Sequence, residues 1–222
     1  MNNSKSILIQ AIKDGDLEEV KSILKNHPSL ADGVTEEGLS ILLLAKYYQK
    51  NKIVDVLLSY KTEFNLFEAT ASGQLSFIEE YLTSHPEQIN TYASDGFSPL
   101  GLACFFGQKE VVDFLLKQGG DANQVSNNPM KLAPLHSAVA AKQFEIVKAL
   151  IENGANVNAQ QMKGVTPLHS AAHNGLLNIA KLLLENGANP KIQMEDGTLP
   201  IDFAKKDNHL EVVTLLESYL SS

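Results

Sequence analysis

The side chains able to do chemistry are few: six histidines, one cysteine and no arginine in 222 residues. His136 and His169 each stand inside the same string, Pro-Leu-His-Ser-Ala. Such a pair could ligate a metal or act as bases, yet neither an HxxxH spacing nor a Cys/His cluster accompanies it. Cys104 is alone, which excludes an internal disulfide and a cysteine-based metal site; its setting reads as that of a small buried hydrophobe. Ser137 and Ser170 each follow a histidine, but neighbouring side chains on a helix do not face each other, so no nucleophile–base pair forms. Gly119-Gly120 lacks the strand, helix and lysine of a phosphate loop. Without arginine, bidentate phosphate or carboxylate clamps are missing. His173, with Asp207, is the one region where a small ligand or a reaction could be accommodated. The expectation is a non-catalytic chain with no metal and no cofactor.

Composition narrows the partners. A net charge of -8 disfavours nucleic acid and anionic membrane surfaces. Hydrophobic residues make up 44% and mean hydropathy is -0.10, as in ordinary folded chains. No apolar run is long enough to predict a membrane span, and the first residues lack an apolar core and cleavage site, so no signal peptide is expected. A cytoplasmic protein follows as the expectation.

What positions these residues is a repeated helix pair. In Gly164 to Asn189, Thr166 stands at an N-cap and Pro167 at the first helical position, where its missing N–H costs nothing. Leu168, Ala171 and Ala172 give a short first helix, and Asn174-Gly175 a break. Ile179, Leu182 and Leu183 give an amphipathic second helix, which Gly187 closes in a left-handed conformation. One such unit cannot bury both faces, and the pattern recurs. Ala133–Ala138 lies one period upstream of Thr166–Ala171, Leu199–Ala204 one period downstream, and Ser98–Ala103 a slightly longer step before Ala133–Ala138.

Thr166-Pro167-Leu168-His169-Ser170-Ala171 resembles the T-P-L-H-x-A signature of the ankyrin repeat, strongly over 94–218 and more weakly before. The resemblance implies an all-α solenoid of stacked helix–turn–helix units with short β-hairpin fingers. Seven units are expected, at about 4–34, 35–62, 63–92, 93–127, 128–160, 161–193 and 194–222, anchored on Ala11, Ala45, Ala69, Ala103, Ala138, Ala171 and Ala204. Small residues belong there because neighbouring first helices approach closely.

Departures from the pattern are informative. In the first unit Ser6 stands where the N-cap belongs. Ala45 and Ala69 lie closer together than one full period, so the finger expected near Tyr60–Phe64 is missing and a tight helix-to-helix link replaces it. A break between two short arrays is the alternative. The finger carrying Val125–Pro129 has two extra residues and should be longer and more mobile. Lys131 replaces a usual glycine, and Ala133 and Leu199 replace capping residues, each lost cap costing about 1 kcal/mol. His27-Pro28 and His85-Pro86 read as helix stops.

The resemblance also implies function: a protein-binding scaffold or regulator, monomeric, recognising an unidentified protein across the concave face of fingers and first helices. It gives His136 and His169 a structural role, bonding backbone and the capping threonine. Its contact positions fall on Tyr47, Tyr48, Phe105, Phe106, His173, Asn174, Lys206 and Asp207 of first helices. On fingers they fall on Phe97, Met130, Leu132, Met162, Lys163 and Val165, with Ala71, Ser72, Ala140 and Ala141 between. Clustered aromatics at such positions suggest a binding hot spot; alternatively Tyr47, Tyr48 and Phe105 pack as core where the finger is missing. Acids at the tips, Glu36-Glu37, Asp95 and Glu195-Asp196, read as solvated turns. A ligand-binding or enzymatic protein using His173 and Asp207, and a self-associating structural unit, remain the other readings.

Overall fold

The computed structural model describes residues 2–221, and its regular structure is all helical. The chain forms two compact units, Met1–Ala69 and Thr70–Ser222.

The first unit holds α1 (Asn2–Asp14), α2 (Leu17–Asn26), α3 (Ile41–Tyr47) and α4 (Asn51–Tyr60), and α5 (Leu66–Ser72) begins in it. Ser6 is not an N-cap: α1 starts at Asn2, because no glycine or proline interrupts residues 2–5. α2 and α3 do carry side-chain caps, with Glu19 N–H donating to Asp16 Oδ1 at 3.0 Å and Leu43 N–H to Ser40 Oγ at 3.0 Å. Each satisfies a donor that the helix cannot pair internally. α2 stops at His27, and Pro28 opens a 3-10 turn, Pro28–Asp32. Leu8, Ile12, Leu24, Ile41, Leu42 and Leu57 are fully enclosed and form the core.

Between α4 and α5 there is no finger. Residues 61–65 are a short link built on charge. The Lys61 ammonium lies 2.9 Å from Glu68 Oε1 and 3.2 Å from Asp32 Oδ1, with the Lys61 and Glu68 side chains 2% and 3% exposed. The Thr62 hydroxyl donates to Asp32 Oδ2 at 2.6 Å. Asn65 and Glu68 cap each other reciprocally, Asn65 N–H donating to Glu68 Oε2 at 3.1 Å and Glu68 N–H to Asn65 Oδ1 at 2.9 Å. The Phe64 ring sits 5.7 Å from the ammonium. Burial alone would raise the Asp32 pKa; the bonds from Thr62 and Lys61 outweigh it and hold the carboxyl below its ordinary value.

The second unit holds α6 (Leu75–Ser84), α7 (Pro99–Phe105), α8 (Lys109–Lys117), α9 (Pro134–Ala140), α10 (Phe144–Glu152), α11 (Pro167–His173), α12 (Leu177–Glu185), α13 (Pro200–Lys206) and α14 (Leu210–Leu220). The first helices α7, α9, α11 and α13 pack in sequence, and α8, α10, α12 and α14 form a second row. Ala103, Ala138, Ala171 and Ala204 are fully buried, which permits that close approach. Pro99, Pro134, Pro167 and Pro200 open the first helices.

The fingers are short. One backbone bond spans each base, Ala93 to Phe97 at 2.9 Å, Ser126 to Leu132 at 2.8 Å, Gln161 to Val165 at 3.0 Å and Met194 to Thr198 at 3.0 Å, and a second closes each turn, as Gly96 N–H does to the Ala93 carbonyl at 2.9 Å. Among the described residues the isolated β-bridge is Val34 with Ser40. The long finger is held by its own polar groups. Leu132 N–H donates to Ser126 Oγ, Met130 N–H to Asn128 Oδ1, and Asn128 Nδ2 reaches back to the Asp95 carbonyl at 2.9 Å.

Candidate functional site

Fingers and first helices of Thr70–Ser222 are tied together by histidine. In α9 the His136 Nε2–H lies 3.1 Å from the Ala159 carbonyl and 3.2 Å from that of Val165, in the next finger. Its Nδ1 accepts the Ala133 N–H at 3.3 Å. Two carbonyl partners at Nε2 and a donor at Nδ1 fix the neutral Nε2–H tautomer. Burial pushes its pKa down to about 4, which the two carbonyls only partly oppose. His169 repeats the arrangement: Nε2–H donates to the Thr198 carbonyl at 3.2 Å, and Nδ1 accepts the Thr166 hydroxyl at 2.8 Å. Burial lowers its pKa too. Neither ring is available for catalysis, being 2% and 0% exposed.

Two of these first helices lack the histidine: α13 carries Asp202, which bonds its own N-cap backbone, and at α7 an aromatic surface stands instead. Where α9 and α11 carry histidine, α7 carries Gly101. The Phe97 ring lies over this position, 3.5 Å from where a Cβ would stand, an ordinary contact distance. Phe97 is half-buried and packs 6.5 Å from Phe105, which meets Phe106 edge-on at 5.1 Å. Phe105 is the exposed member at 37% and Phe106 is half-buried. Gly96 adjoins the cluster at φ +83°, and a Cβ would come within 2.5 Å of the Asn127 carbonyl oxygen, so only glycine fits.

The other expected positions are distributed as follows. Met130 and Met162 are exposed at finger tips, as is Lys163; Leu132 and Val165 are half-buried at finger bases. Tyr48 is exposed and Tyr47 half-buried at the end of α3, in the other unit. Tyr48 and Phe105 are thus not core. Ala71 is fully buried and cannot serve as a contact. Asn174 is taken up in closing α11, its Nδ2 donating to the Ser170 carbonyl.

His173 is exposed and its Nδ1 lies 2.7 Å from Asp207 Oδ2, with the Phe203 ring packed edge-on at 5.3 Å. The pairing brings together the two residues of the region named for a small ligand. Among the described residues no group of three or more His, Cys, Asp or Glu is placed to hold a metal, and no hydroxyl or thiol bonds to His173.

The ankyrin-repeat pattern matches residues 66–161 and 135–220. The chain belongs to the ankyrin repeat family. It is 29% identical over 153 residues to the probable 26S proteasome regulatory subunit p28 of Saccharomyces cerevisiae, covering 68% of this chain and 56% of the yeast protein. It is 30% identical over 102 residues to ankyrin repeat and SAM domain-containing protein 6 of Rattus norvegicus, covering 46% of this chain and 11% of the rat protein. The human transient receptor potential cation channel subfamily A member 1 matches at 35% over 105 residues, 46% of this chain and 9% of the channel. The chain therefore spans about half of the yeast relative and small parts of the others. No helix among the described residues is long and apolar enough to cross a membrane.

One ankyrin feature escaped the sequence reading. Asparagines rivet successive units: Asn123 Nδ2 donates to the Gly154 carbonyl at 2.9 Å and its Oδ1 accepts Asn156 N–H at 2.7 Å. Asn158 does the same with Gly187 and Asn189, and Asn90 with Gly119 and Asp121. The recurrence of asparagine after α6, α8 and α10 was the available signal.

Proposed function

We propose that the chain is a non-catalytic protein-binding module that recognises a partner across the fingers and first helices of Thr70–Ser222. The observation that carries this is the Phe97–Phe105–Phe106 cluster, whose outer ring is left 37% exposed beside the repeats that the histidines tether. Aromatic anchors on a preformed surface lose little ordering entropy on binding and are the usual seats of binding energy. The likeness to the yeast p28 covers 56% of that protein, so the reading is of a binding module rather than of a proteasome subunit.

The test compares proteins captured from a native lysate by the immobilised chain and by its Phe105→Ala variant. Expected are captured proteins that the variant loses while its melting temperature stays within about 3 °C, as for an exposed side chain. Identical captures by the two proteins, or a variant that fails to fold, would remove the cluster from the role of anchor.

A further inference from the structure

The row of finger tips in Thr70–Ser222 changes character in its middle. Its outer tips are acidic, Asp95 at one end and Glu195-Asp196 at the other. Its two inner tips carry methionine followed by lysine, Met130-Lys131 and Met162-Lys163. The tips are joined by backbone bonds: Asn127 N–H to the Gly96 carbonyl at 2.7 Å, Met162 N–H to that of Met130 at 3.0 Å and Glu195 N–H to that of Lys163 at 3.1 Å. The side chains of the inner tips therefore share one ridge.

Two features of this ridge have no structural use. Met130 and Met162 are 48% and 50% exposed, so neither thioether fills the core. Lys131 and Lys163 adopt φ +51° and +65°, the left-handed region; in the Met162 finger Gly164 follows at +77°, where the acidic tips have Gly96 and Gly197 at +83° and +84°. A lysine in that conformation is strained relative to glycine. Among the described residues neither lysine joins an ion pair; Asp196 senses the Lys163 charge without reaching ion-pair distance. Lysines held in no ion pair beside exposed apolar surface are the combination that binding sites keep.

We propose that this ridge receives a segment of a partner protein in which apolar side chains stand beside carboxylates, the apolar groups packing on Met130, Met162 and Leu132 and the carboxylates pairing with Lys131 and Lys163. The proposal rests on the reading that this face binds protein. Unbranched thioethers adapt to apolar groups of varied shape. The acidic tips on either side repel further carboxylates and so confine the acidic stretch to the two inner fingers. A polyanion such as nucleic acid would use the lysines but leave the thioethers idle, and the chain's net charge of -8 opposes it.

The experiment is a selection of random peptides displayed on phage against the immobilised full chain, followed by affinity measurement of the enriched peptides. Expected are peptides that mix acidic and apolar residues, whose affinity falls about tenfold or more in Lys131→Gly/Lys163→Gly. That variant should melt at the same temperature or higher, because glycine relieves the left-handed strain. Lys131→Glu/Lys163→Glu, which keeps a side chain at both tips, should turn the selection toward basic peptides. Enrichment of basic or uncharged peptides by the parent protein, affinities unchanged in the lysine variants, or competition by heparin equal to that by the peptides would each overturn the ridge proposal. If such peptides are still lost on Phe105→Ala, protein binding by this face stands and the ridge alone falls. No enrichment at all would overturn both.

Discussion

Two stretches of this chain solve the same problem with opposite chemistry. In the second unit, one repeat is tied to the next finger by a neutral buried histidine, as His136 is to Ala159 and Val165. In the first unit the finger is missing, and the link at 61–65 is closed by a buried ammonium between two carboxylates. A neutral ring needs only two or three hydrogen bonds to be satisfied. A buried charge needs a counter-charge, and its removal leaves the partner stranded in a medium that cannot solvate it. The finger thus does more than present contact residues. Its backbone carbonyls are the acceptors that let the tether remain uncharged, and where the finger is absent, side-chain carboxylates take their place.

This contrast predicts the largest effect at Lys61. Lys61→Met should destabilise the chain by about 3–5 kcal/mol, because Glu68 is left buried beside an apolar side chain. Adding Glu68→Leu should recover much of that loss by removing the stranded charge. Urea unfolding of the single and double variants measures both. A single variant as stable as the parent would show that the link is not held by its charge.

The histidine tether should be distinguished by its response to acid. The ordinary pKa of histidine is about 6.5, and in the folded chain His136 is held down at about 4. The unfolded state therefore binds the proton first. Stability from this ring is fully present above pH 6.5 and is lost as pH falls toward 4, at up to about 1.4 kcal/mol per pH unit and about 3 kcal/mol in all. His136→Gln removes the titrating ring, so its stability should decline less between pH 6.5 and 4 than that of the parent. Equal slopes would mean that His136 takes up its proton as readily folded as unfolded. The Asp32 carboxyl, held below its ordinary value, contributes in the same direction at lower pH: its stabilisation is present above about pH 3.9 and disappears as pH falls further.

These two regions were not equally legible. The repeat was, because Pro-Leu-His and the buried alanines recur at a nearly fixed period and each has a local steric reason. The missing finger was legible too, as a shortened spacing between Ala45 and Ala69. What replaced it was not. Asp32 is remote in the chain from Lys61 and Glu68, and nothing in a single charged residue reveals that the fold will bury it. Phe97, Phe105 and Phe106 were named from the sequence as contact positions; that their rings pack on one another follows from the finger lying over α7 and was not legible. The fingers were expected as short hairpins, and so few residues fit between their bases that one bond across the base and one across the turn make up each.

The smallest predicted effect lies within the regular units and isolates the cap from the tether. α9 and α11 share the histidine bond to their own N-cap backbone, from Ala133 and Thr166 respectively. Only Thr166 adds a hydroxyl, which meets both His169 Nδ1 at 2.8 Å and His169 N–H at 3.4 Å. Ala133 and Thr166 share an extended backbone, at φ -75° and -96°, and both are buried. Ala133→Thr should therefore place a hydroxyl where Thr166 has one, and raise stability by about 1 kcal/mol. The added hydroxyl would also give His136 Nδ1 a second donor, favouring the neutral ring and lowering its pKa further. The variant should gain stability at pH 7 and give up more of it on acidification than the parent. A gain of the same size at every pH would show that the hydroxyl caps the helix without touching the tether.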